Sequence, residues 1–316
     1  MLSDDPFSKR LFKEKQFLFD LIEFAVKGSF KPYDSYIKAS IKGKDKIEWR
    51  LRTCRELIKS MKKGFTGNDM NVWIKTIPCN RVIVGGPICA HIDDNGDFHI
   101  SDGHHRMAVL KALNIPIPIR ILLRADGWLR LKQNAYAIYN AKKTYQRFDH
   151  PDFAGWMTLR DDSRVEKIKP FIKGVVVNLG CAEGYLDLKL SEYAPQGWAS
   201  VENNSVRGRF AELQLNGSNA SYVNADFNKW EIPKCDCLLL LSVWHHIYKK
   251  NKQEAKAILK RVCNKADRLI FDMAEPGEAI WGSVKAPKMP DFILKNTNYK
   301  KVVTIDDRRK IMIFEK

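Results

Sequence analysis

The chain has 316 residues, of which 45% are hydrophobic and 29% charged, a balance typical of a globular protein of about two domains. Lysine and arginine outnumber aspartate and glutamate by 54 to 37, so the net charge is +17 and anionic partners are expected: nucleic acid, a nucleotide, a phosphorylated glycan or an acidic membrane surface. No apolar run is long enough to span a membrane, the first residues do not resemble a signal peptide, and seven scattered cysteines indicate reduced thiols. We therefore expect a cytoplasmic protein, with peripheral contact at the inner membrane face as an open alternative.

Two helices are predicted at the start of the chain. The first covers about residues 6–28, and its early turns are rich in lysine and arginine. A basic amphipathic helix of this kind either packs on its own domain or lies on a membrane surface. The second covers about residues 45–63, where apolar residues recur at helical spacing.

Residues 71–124 have a different character, because short β-type runs replace the helical pattern. A hairpin turn is predicted at residues 94–97, whose sequence is DNGD. The predicted elements of this part are strands at 72–77, 81–84, 98–100 and 117–123, and helices at 107–113 and 126–143. We take residues 1–143 as the first domain and residues 144–160, which mix proline, glycine, aromatics and charge, as a connector that contributes to a site.

From residue 161 to residue 316 strands and helices alternate, which predicts a second domain with a parallel sheet and helices on both faces. The strands are expected at 174–179, 197–201, 220–224, 235–241, 267–273, 300–305 and 310–315. The last two are joined by a tight turn at residues 306–309 and predict an antiparallel hairpin at the edge of the sheet. The fold class expected for this domain is therefore α/β and Rossmann-like.

The strongest motif of the second domain is residues 175–186, VVVNLGCAEGYL, an apolar strand followed by a glycine turn and a helix. Ligands of open parallel sheets bind at the carboxyl ends of the strands, and glycines at 180 and 184 let the backbone come close to a ligand. Glu202 follows Gly180 by 22 residues, at the end of an apolar strand, where a carboxylate can accept both hydroxyls of a ribose. Asp226 is an acid just past another short strand.

These features, in this order, resemble the class I S-adenosylmethionine-dependent methyltransferases over about residues 160–316. The resemblance implies that Gly180 and Gly184 face the methionine part of the cofactor, that Glu202 binds its ribose, and that Asp226 lies beside its adenine. The family carries an acid where this chain has Asn178, so the contact of Asn178 with the cofactor differs from the usual one. The cofactor residues implied are Asn178, Gly180, Gly184, Glu202, Asp226 and Ser242. The alternative is a Rossmann-like domain for another nucleotide, although NAD binding favours a fuller G-x-G-x-x-G turn.

Residues 241–247, LSVWHHI, end the fourth strand of this domain, at the position that faces the methyl acceptor in such methyltransferases. They lack the acid or Asn followed by Pro-Pro-aromatic that is typical of adenine N-methylation, and they are similar to enzymes that methylate oxygens of small molecules, sugars or lipids. Transfer to a hydroxyl requires removal of a proton, for which histidine is suited near neutral pH. His245 or His246 is the predicted general base, and a structural role in capping or packing is the alternative for either.

Residues 102–106, DGHHR, lie between a β-type run and a helix in the first domain. The N-terminal amides of a helix favour an anion, and Arg106 adds a bidentate donor for phosphate. Residues 72–124 resemble the ParB/sulfiredoxin fold, and the DGHHR turn is similar to its free-serine kinase branch. The resemblance implies that nucleotide phosphates, such as those of ATP with Mg²⁺, are bound by Gly103, His104, His105 and Arg106.

Asp102 lies near the metal or the phosphate acceptor in the same resemblance. The kinase members carry a glutamate soon after an Ile-Pro strand, whereas this chain has Cys-Asn-Arg at residues 79–81. Phosphate transfer would therefore depend on Asp102 as the catalytic residue. The alternative is a degenerate domain that serves only for docking or dimerisation.

Together the domains predict a methyltransferase that acts on a hydroxyl or phosphate oxygen of a saccharide or small molecule, coupled to an ATP-binding and phosphate-transferring domain. Phosphorylation followed by methylation is the logic of bifunctional enzymes that cap surface-polysaccharide chains, which serves as an analogy. A nucleic-acid-binding methyltransferase with a ParB-like DNA- or RNA-binding or nuclease domain is the second hypothesis, since the charge of +17 also suits a phosphate backbone. A non-catalytic nucleotide-sensing module is the third.

Overall fold

The protein is described from a computed structural model, which covers residues 16–63, 88–115, 119–160, 163–282, 284–306 and 309–316. The chain divides into two compact units, Met1–Arg130 and Leu131–Lys316. The strands predicted at 72–77 and 81–84 lie outside the described residues, as does the start of the first predicted helix. Within the described ranges, no helix combines the length and the apolar character that a membrane span needs.

The first unit contains a group of helices and a small sheet. Its elements are α1 (Gln16–Val26), α2 (Lys31–Ser40), α3 (Lys44–Lys62), β1 (Ile88–Ile92), β2 (Phe98–Asp102), α4 (His104–Ala112) and β3 (Ile119–Arg124). Strand β1 is central, because it pairs antiparallel with β2 and parallel with β3. The chain reverses between β1 and β2 where the hairpin turn is predicted. Helix α2 is not predicted from the sequence, since only Tyr33 and Ile37 of its ten residues are buried.

The second unit is built on a seven-stranded sheet. Its elements begin with α5 (Asp126–Tyr139), which contains the boundary between the units, and a short parallel pair, β4 (Lys143–Thr144) with β5 (Met157–Thr158). The helices that follow are α6 (Ser163–Ile168), α7 (Tyr185–Leu190), α8 (Ser205–Leu215), α9 (Trp244–Lys250), α10 (Lys252–Cys263) and α11 (Met289–Asn296). The strands are β6 (Val176–Leu179), β7 (Trp198–Glu202), β8 (Ala220–Asn224), β9 (Cys235–Leu241), β10 (Ala266–Asp272), β11 (Lys301–Ile305) and β12 (Ile311–Glu315).

The strand order across the large sheet is β11-β12-β10-β9-β6-β7-β8. Strands β6 to β10 are parallel, and β12 joins them antiparallel to β10 and to β11. The prediction of an α/β sheet with a terminal antiparallel hairpin is therefore confirmed. The chain passes from β6 to β7 on one side and later returns to β9 on the other, and this reversal of direction opens a crevice at the carboxyl ends of the strands.

The core lies on both faces of this sheet. All four residues of β6 are buried, and six of the seven residues of β9 are buried. Parallel strands covered on both faces form continuous apolar runs, which is why they are prominent in the sequence. Along β9, Leu238 and Leu240 pack on one face with Trp244 and α10, whereas Leu239 and Leu241 pack on the opposite face.

Candidate functional site

A cavity of about 400 Å³ opens at the carboxyl ends of β6, β7, β8 and β9. Its size is that of a small-molecule site, for which the usual range is about 300–1,000 Å³. The predicted site residues that line it are Gly180, Glu202, Asp226, Ser242, His245 and His246. Asn178 and Gly184 are not among its lining residues.

The glycine turn after β6 forms the floor of the cavity. Gly180 has a φ of +82°, and a Cβ there would lie 2.4 Å from Cγ2 of Val243, so the position accepts no side chain without movement. Gly184 has a φ of +78° and would place a Cβ 3.2 Å from Ala211 of α8. The two glycines therefore differ, since Gly180 lets the Val243 side chain pack against the turn beside the cavity, and Gly184 allows two helices to pack.

The carboxylate of Glu202 is held by three backbone amides. Its Oε2 accepts a hydrogen bond from the amide of Ala182 at 3.1 Å, and its Oε1 accepts from the amides of Asn203 and Asn204 at 3.0 and 2.9 Å. An ionised carboxylate offers about four acceptor positions. Glu202 is thus fixed in place with acceptor capacity left for a ligand, which suits the ribose contact implied by the resemblance.

Asn178 points away from the cavity. Its side chain is buried, and Nδ2 donates to both carboxylate oxygens of Asp187, at 3.0 and 2.8 Å. The structure therefore gives Asn178 a partner inside the fold rather than a contact in the cavity.

Two tyrosines and an arginine complete one wall of the cavity: Tyr139, Tyr145 and Arg207. Nη2 of Arg207 donates to the Tyr139 hydroxyl at 2.7 Å, and the guanidinium lies 5.5 Å from the ring centre of Tyr145. The sequence pattern did not identify these three residues. The only signal was the mixed composition of residues 144–160, which contain Tyr145 and were expected to contribute to a site.

Ser242 lies at the end of β9 with an unusual backbone φ of +59°. Its hydroxyl donates to Oδ1 of Asp272 at 2.5 Å and accepts from Arg160 at 2.7 Å and Arg309 at 3.2 Å. A serine hydroxyl has one proton and two lone pairs, so these three contacts use all of them. Ser242 therefore holds charged side chains together at the cavity wall, a role that its sequence position did not indicate.

These charged side chains form a cluster at the carboxyl ends of β9 and β10. Asp272 is fully buried and accepts from Arg164 at 3.2 Å, and Arg160 lies 3.8 Å from the same oxygen. Arg309 makes a bidentate pair with Glu278 at 2.7 and 2.5 Å, and these hydrogen bonds hold the pKa of Glu278 down at about 2. The cluster thereby attaches the end of the turn between β11 and β12 to the loop after β10.

The two histidines after β9 have different environments. His245 is buried, its Nδ1 accepts from the amide of Ala274 at 3.4 Å, and desolvation together with His246 and Arg309 lowers its pKa to about 3. His246 is exposed and lines the cavity, and partial desolvation together with Arg207 and Arg309 lowers its pKa. Both rings are therefore neutral near pH 7, and His246 is the more accessible base.

In the first unit, the DGHHR turn begins α4 at Gly103, which has a φ of +94° and no room for a Cβ beside Ile88. The Asp102 carboxylate accepts from the amide of Gly103 at 2.7 Å and from Nη2 of Arg106 at 2.9 Å. Arg106 is buried, and within the described part of the chain its Nη1 has no hydrogen-bond partner. The Gly103 amide and Nη2 of Arg106, both predicted to bind phosphate, thus donate to the Asp102 carboxylate instead.

The two histidines of this turn also differ from each other. The ring of His105 packs edge-on against Tyr33 at 5.9 Å, and burial lowers its pKa to about 4. His104 is only partly buried, at the first position of α4. Of the predicted phosphate ligands, His105 is therefore directed toward the helices of its own unit.

No protein-family model matches the chain, and no curated protein matches it significantly. Among solved structures, the bifunctional kinase-methyltransferase WbdD is similar with a TM-score of 0.47 and 19% identity, over 56% of this chain and 45% of that one. The chain thus spans less than half of the WbdD chain. Magnesium protoporphyrin IX methyltransferase (ChlM) from Synechocystis PCC 6803 with bound SAM gives a TM-score of 0.39 and 18% identity, over 49% of this chain and 79% of that one.

The N-methyltransferase NodS from Bradyrhizobium japonicum WM9 gives a TM-score of 0.38 and 15% identity, over 48% of this chain and 92% of that one. All three TM-scores lie below 0.5 and all three identities below 25%. The proposed function therefore rests on the geometry of the cavity.

Proposed function

We propose that the unit Leu131–Lys316 is an S-adenosylmethionine-dependent methyltransferase. The observation that carries this proposal is the arrangement of one cavity: Gly180, Glu202 and Asp226 follow three neighbouring strands on one side, and His246 follows β9 on the other. A nucleoside fits the side with the two acids, and a methyl acceptor fits the side with the histidine.

The residues present suit the methyl donor. Glu202 retains acceptor capacity for ribose hydroxyls, and Gly180 lines the same cavity at the end of β6. When bound, S-adenosylmethionine supplies a methyl group on a sulfonium, a good leaving group. Asp226 lines the cavity after β8 and is the residue that we propose for the adenine.

Calorimetric titration with S-adenosylmethionine tests this proposal. We expect the wild type to bind and Glu202→Ala to lose at least about tenfold in affinity, because hydrogen bonds to a charged group contribute about 1.5–3 kcal/mol each. Glu212→Ala is the matched control, since Glu212 is exposed on α8 and forms a surface ion pair with Arg209. Thermal unfolding of each variant verifies folding. An unbound wild type, or unchanged affinity in Glu202→Ala, would contradict the proposal.

We further propose that the acceptor atom is an oxygen and that His246 is the general base. For a hydroxyl acceptor, the proton moves to His246, the oxygen lone pair forms the bond to the methyl carbon, and the carbon–sulfur bond breaks with its electron pair left on sulfur. His246 suits this role because its ring is exposed to the cavity and neutral near pH 7. An ionised phosphate oxygen needs no base.

The acceptor class that we propose is an anionic or phosphorylated saccharide or small molecule. Arg207 and Arg309 both line the cavity, and both lie near enough to His246 to lower its pKa. Because Arg309 is paired with Glu278, Arg207 is the cation that we propose for an anionic acceptor. Tyr139 and Tyr145 add aromatic surface and hydroxyls of the kind that contact sugar rings.

A panel of matched acceptors, with and without phosphate, tests the chemistry by measuring production of S-adenosylhomocysteine. With hydroxyl acceptors we expect the rate of His246→Ala to be lower than that of the wild type by about 100-fold or more, because loss of a general base has an effect of this size. With ionised phosphate oxygens as acceptors, we expect a much smaller loss of rate. Lys250→Ala on the same helix is the control. Equal rates for His246→Ala and wild type on a hydroxyl acceptor would exclude His246 as the base.

We also propose that the first unit binds nucleotide phosphates, such as those of ATP with Mg²⁺, at the start of α4, with phosphate transfer as the further expectation for Asp102. The observation in favour is the guanidinium of Arg106 at a helix N-terminus: its Nη2 lies beside Gly103, and its buried Nη1 has no hydrogen-bond partner among the described residues. A phosphate would have to displace the Asp102 carboxylate from Arg106 and from the amide of Gly103.

Titration with ATP and Mg²⁺ distinguishes this site from simple charge attraction. Arg106→Ala should abolish nucleotide binding, and Arg120→Ala, an exposed arginine of β3, should not. DNA or RNA could instead bind without sequence preference, with an affinity that falls steeply with salt and is unchanged in Arg106→Ala. That result would show that the interaction reflects the net charge of +17. No nucleotide binding at all would overturn the proposal.

A further inference from the structure

A fully buried carboxylate lies directly behind the glycine turn of the cavity. Asp187, on α7, has no exposed surface, and it accepts hydrogen bonds from Nε1 of Trp198 at 2.7 Å and from Oγ of Ser200 at 2.6 Å, both on β7. Nδ2 of Asn178, at the end of β6, donates to both of its oxygens. Three elements that surround the turn therefore meet at one side chain.

A buried charge is costly unless hydrogen bonds satisfy it, and here four contacts from three side chains do so. The turn runs from Gly180 to Gly184. Asn178 precedes it by two residues and Asp187 follows it by three, so the contact between these two side chains joins its ends. Backbone bonds from Gly180 and Cys181 to Val201 hold the same turn against β7.

We propose that Asn178 and Asp187 form a positioning pair that fixes the conformation of the glycine turn lining the cavity. The resemblance predicts an acid at position 178, and the structure explains why an amide is compatible here. An acid at 178 would place two carboxylates about 3 Å apart in a site without exposed surface, where like charges repel strongly. The charge lies on the helix instead of the strand, and the amide on the strand is its partner. As far as the ligand is concerned, this inference rests on the proposed function.

Exchange of the two side chains tests the pair. Asn178→Asp and Asp187→Asn are each expected to weaken binding of S-adenosylmethionine by about tenfold or more. The first places two carboxylates together, and the second replaces two hydrogen bonds to a charged carboxylate by at most one between neutral amides. The double variant Asn178→Asp/Asp187→Asn restores one carboxylate facing one amide, while the amide oxygen at 187 still accepts from Trp198 and Ser200. We expect its affinity to return to within about threefold of wild type, which is about 0.7 kcal/mol.

A second readout separates positioning from a general loss of stability. Amide hydrogen exchange of residues 180–184 should speed up in the single variants and return to the wild-type rate in the double variant. Tyr299→Phe is the matched control, because its buried hydroxyl donates to the carbonyls of Cys263 and Ala266, in another part of the same unit. It should lower stability without a change in affinity or in exchange at the turn.

Each outcome decides between the two proposals. If the wild type does not bind S-adenosylmethionine, the proposed function fails, and exchange at residues 180–184 still tests the pair. If the wild type binds and Asp187→Asn binds equally well with unchanged exchange, the positioning pair is wrong. Failure of the double variant to recover either readout would also overturn it. Should Asn178→Asp not fold, Asp187→Asn and the double variant still give the comparison.

Discussion

Substitution of Gly180 by alanine separates two physical effects that meet in the glycine turn. Its φ of +82° costs an alanine about 1–2 kcal/mol, because the Cβ approaches the following carbonyl. The new Cβ would also lie 2.4 Å from Cγ2 of Val243, where ordinary contact begins at 3.4 Å. Val243 or the turn must therefore move by about 1 Å, which in a packed site costs a further 1–3 kcal/mol or so.

Gly217 provides the matched comparison. It lies in the same unit with a φ of +81°, and a Cβ there would meet no atom within 4 Å. Gly217→Ala should therefore show the backbone strain alone, about 1–2 kcal/mol, and Gly180→Ala should lose about 1–3 kcal/mol more. Because Val243 lines the cavity, Gly180→Ala should also weaken binding of S-adenosylmethionine, and Gly217→Ala should not.

Urea denaturation of both variants, followed by calorimetric titration, measures these differences. Equal losses of unfolding free energy in the two variants, within about 0.5 kcal/mol, would refute the steric part of the reasoning. A destabilised Gly180→Ala that retained full affinity would refute the link between this turn and the ligand.

Two further predictions concern the charged cluster. Asp272→Asn should cost about 3–5 kcal/mol of unfolding free energy, because Arg164 then remains buried without a compensating charge, and a loss below about 1 kcal/mol in urea denaturation would contradict this. The pKa of Glu278 falls from 4.5 to about 2 on folding, so its pairing with Arg309 stabilises the protein above pH 4.5 and is lost as pH falls through about 2. The difference in melting temperature between wild type and Glu278→Gln should therefore be present at pH 7, decrease below pH 4.5 and disappear near pH 2; a difference that does not depend on pH would exclude an ionic origin.

The large sheet could be predicted closely from the sequence, and the reason is physical. The strands at its centre are buried on both faces, so β6 and β9 are mostly apolar and end where the chain reaches the cavity. The residues that follow such strands, Gly180, Glu202 and Asp226, consequently stand out as candidates in the sequence itself.

The remainder of the site depends on contacts between distant segments. The hydroxyl of Ser242 accepts hydrogen bonds from Arg160 and Arg309, which lie 82 and 67 residues away in the sequence. No local sequence pattern predicts contacts between residues so far apart. The direction of Asn178 likewise depends on Asp187, nine residues along the chain. In the first unit, helix α2 is mostly exposed, so it lacks the apolar periodicity by which helices are predicted.

A crystal structure of the protein with S-adenosylhomocysteine tests the central claim most directly, because it shows where the nucleoside lies. We predict the ribose hydroxyls within hydrogen-bond distance of the Glu202 carboxylate, the adenine beside Asp226, and the sulfur directed toward His246. A ligand bound elsewhere, or an empty cavity at saturating concentrations of S-adenosylhomocysteine, would contradict the assignment of this cavity to methyl transfer.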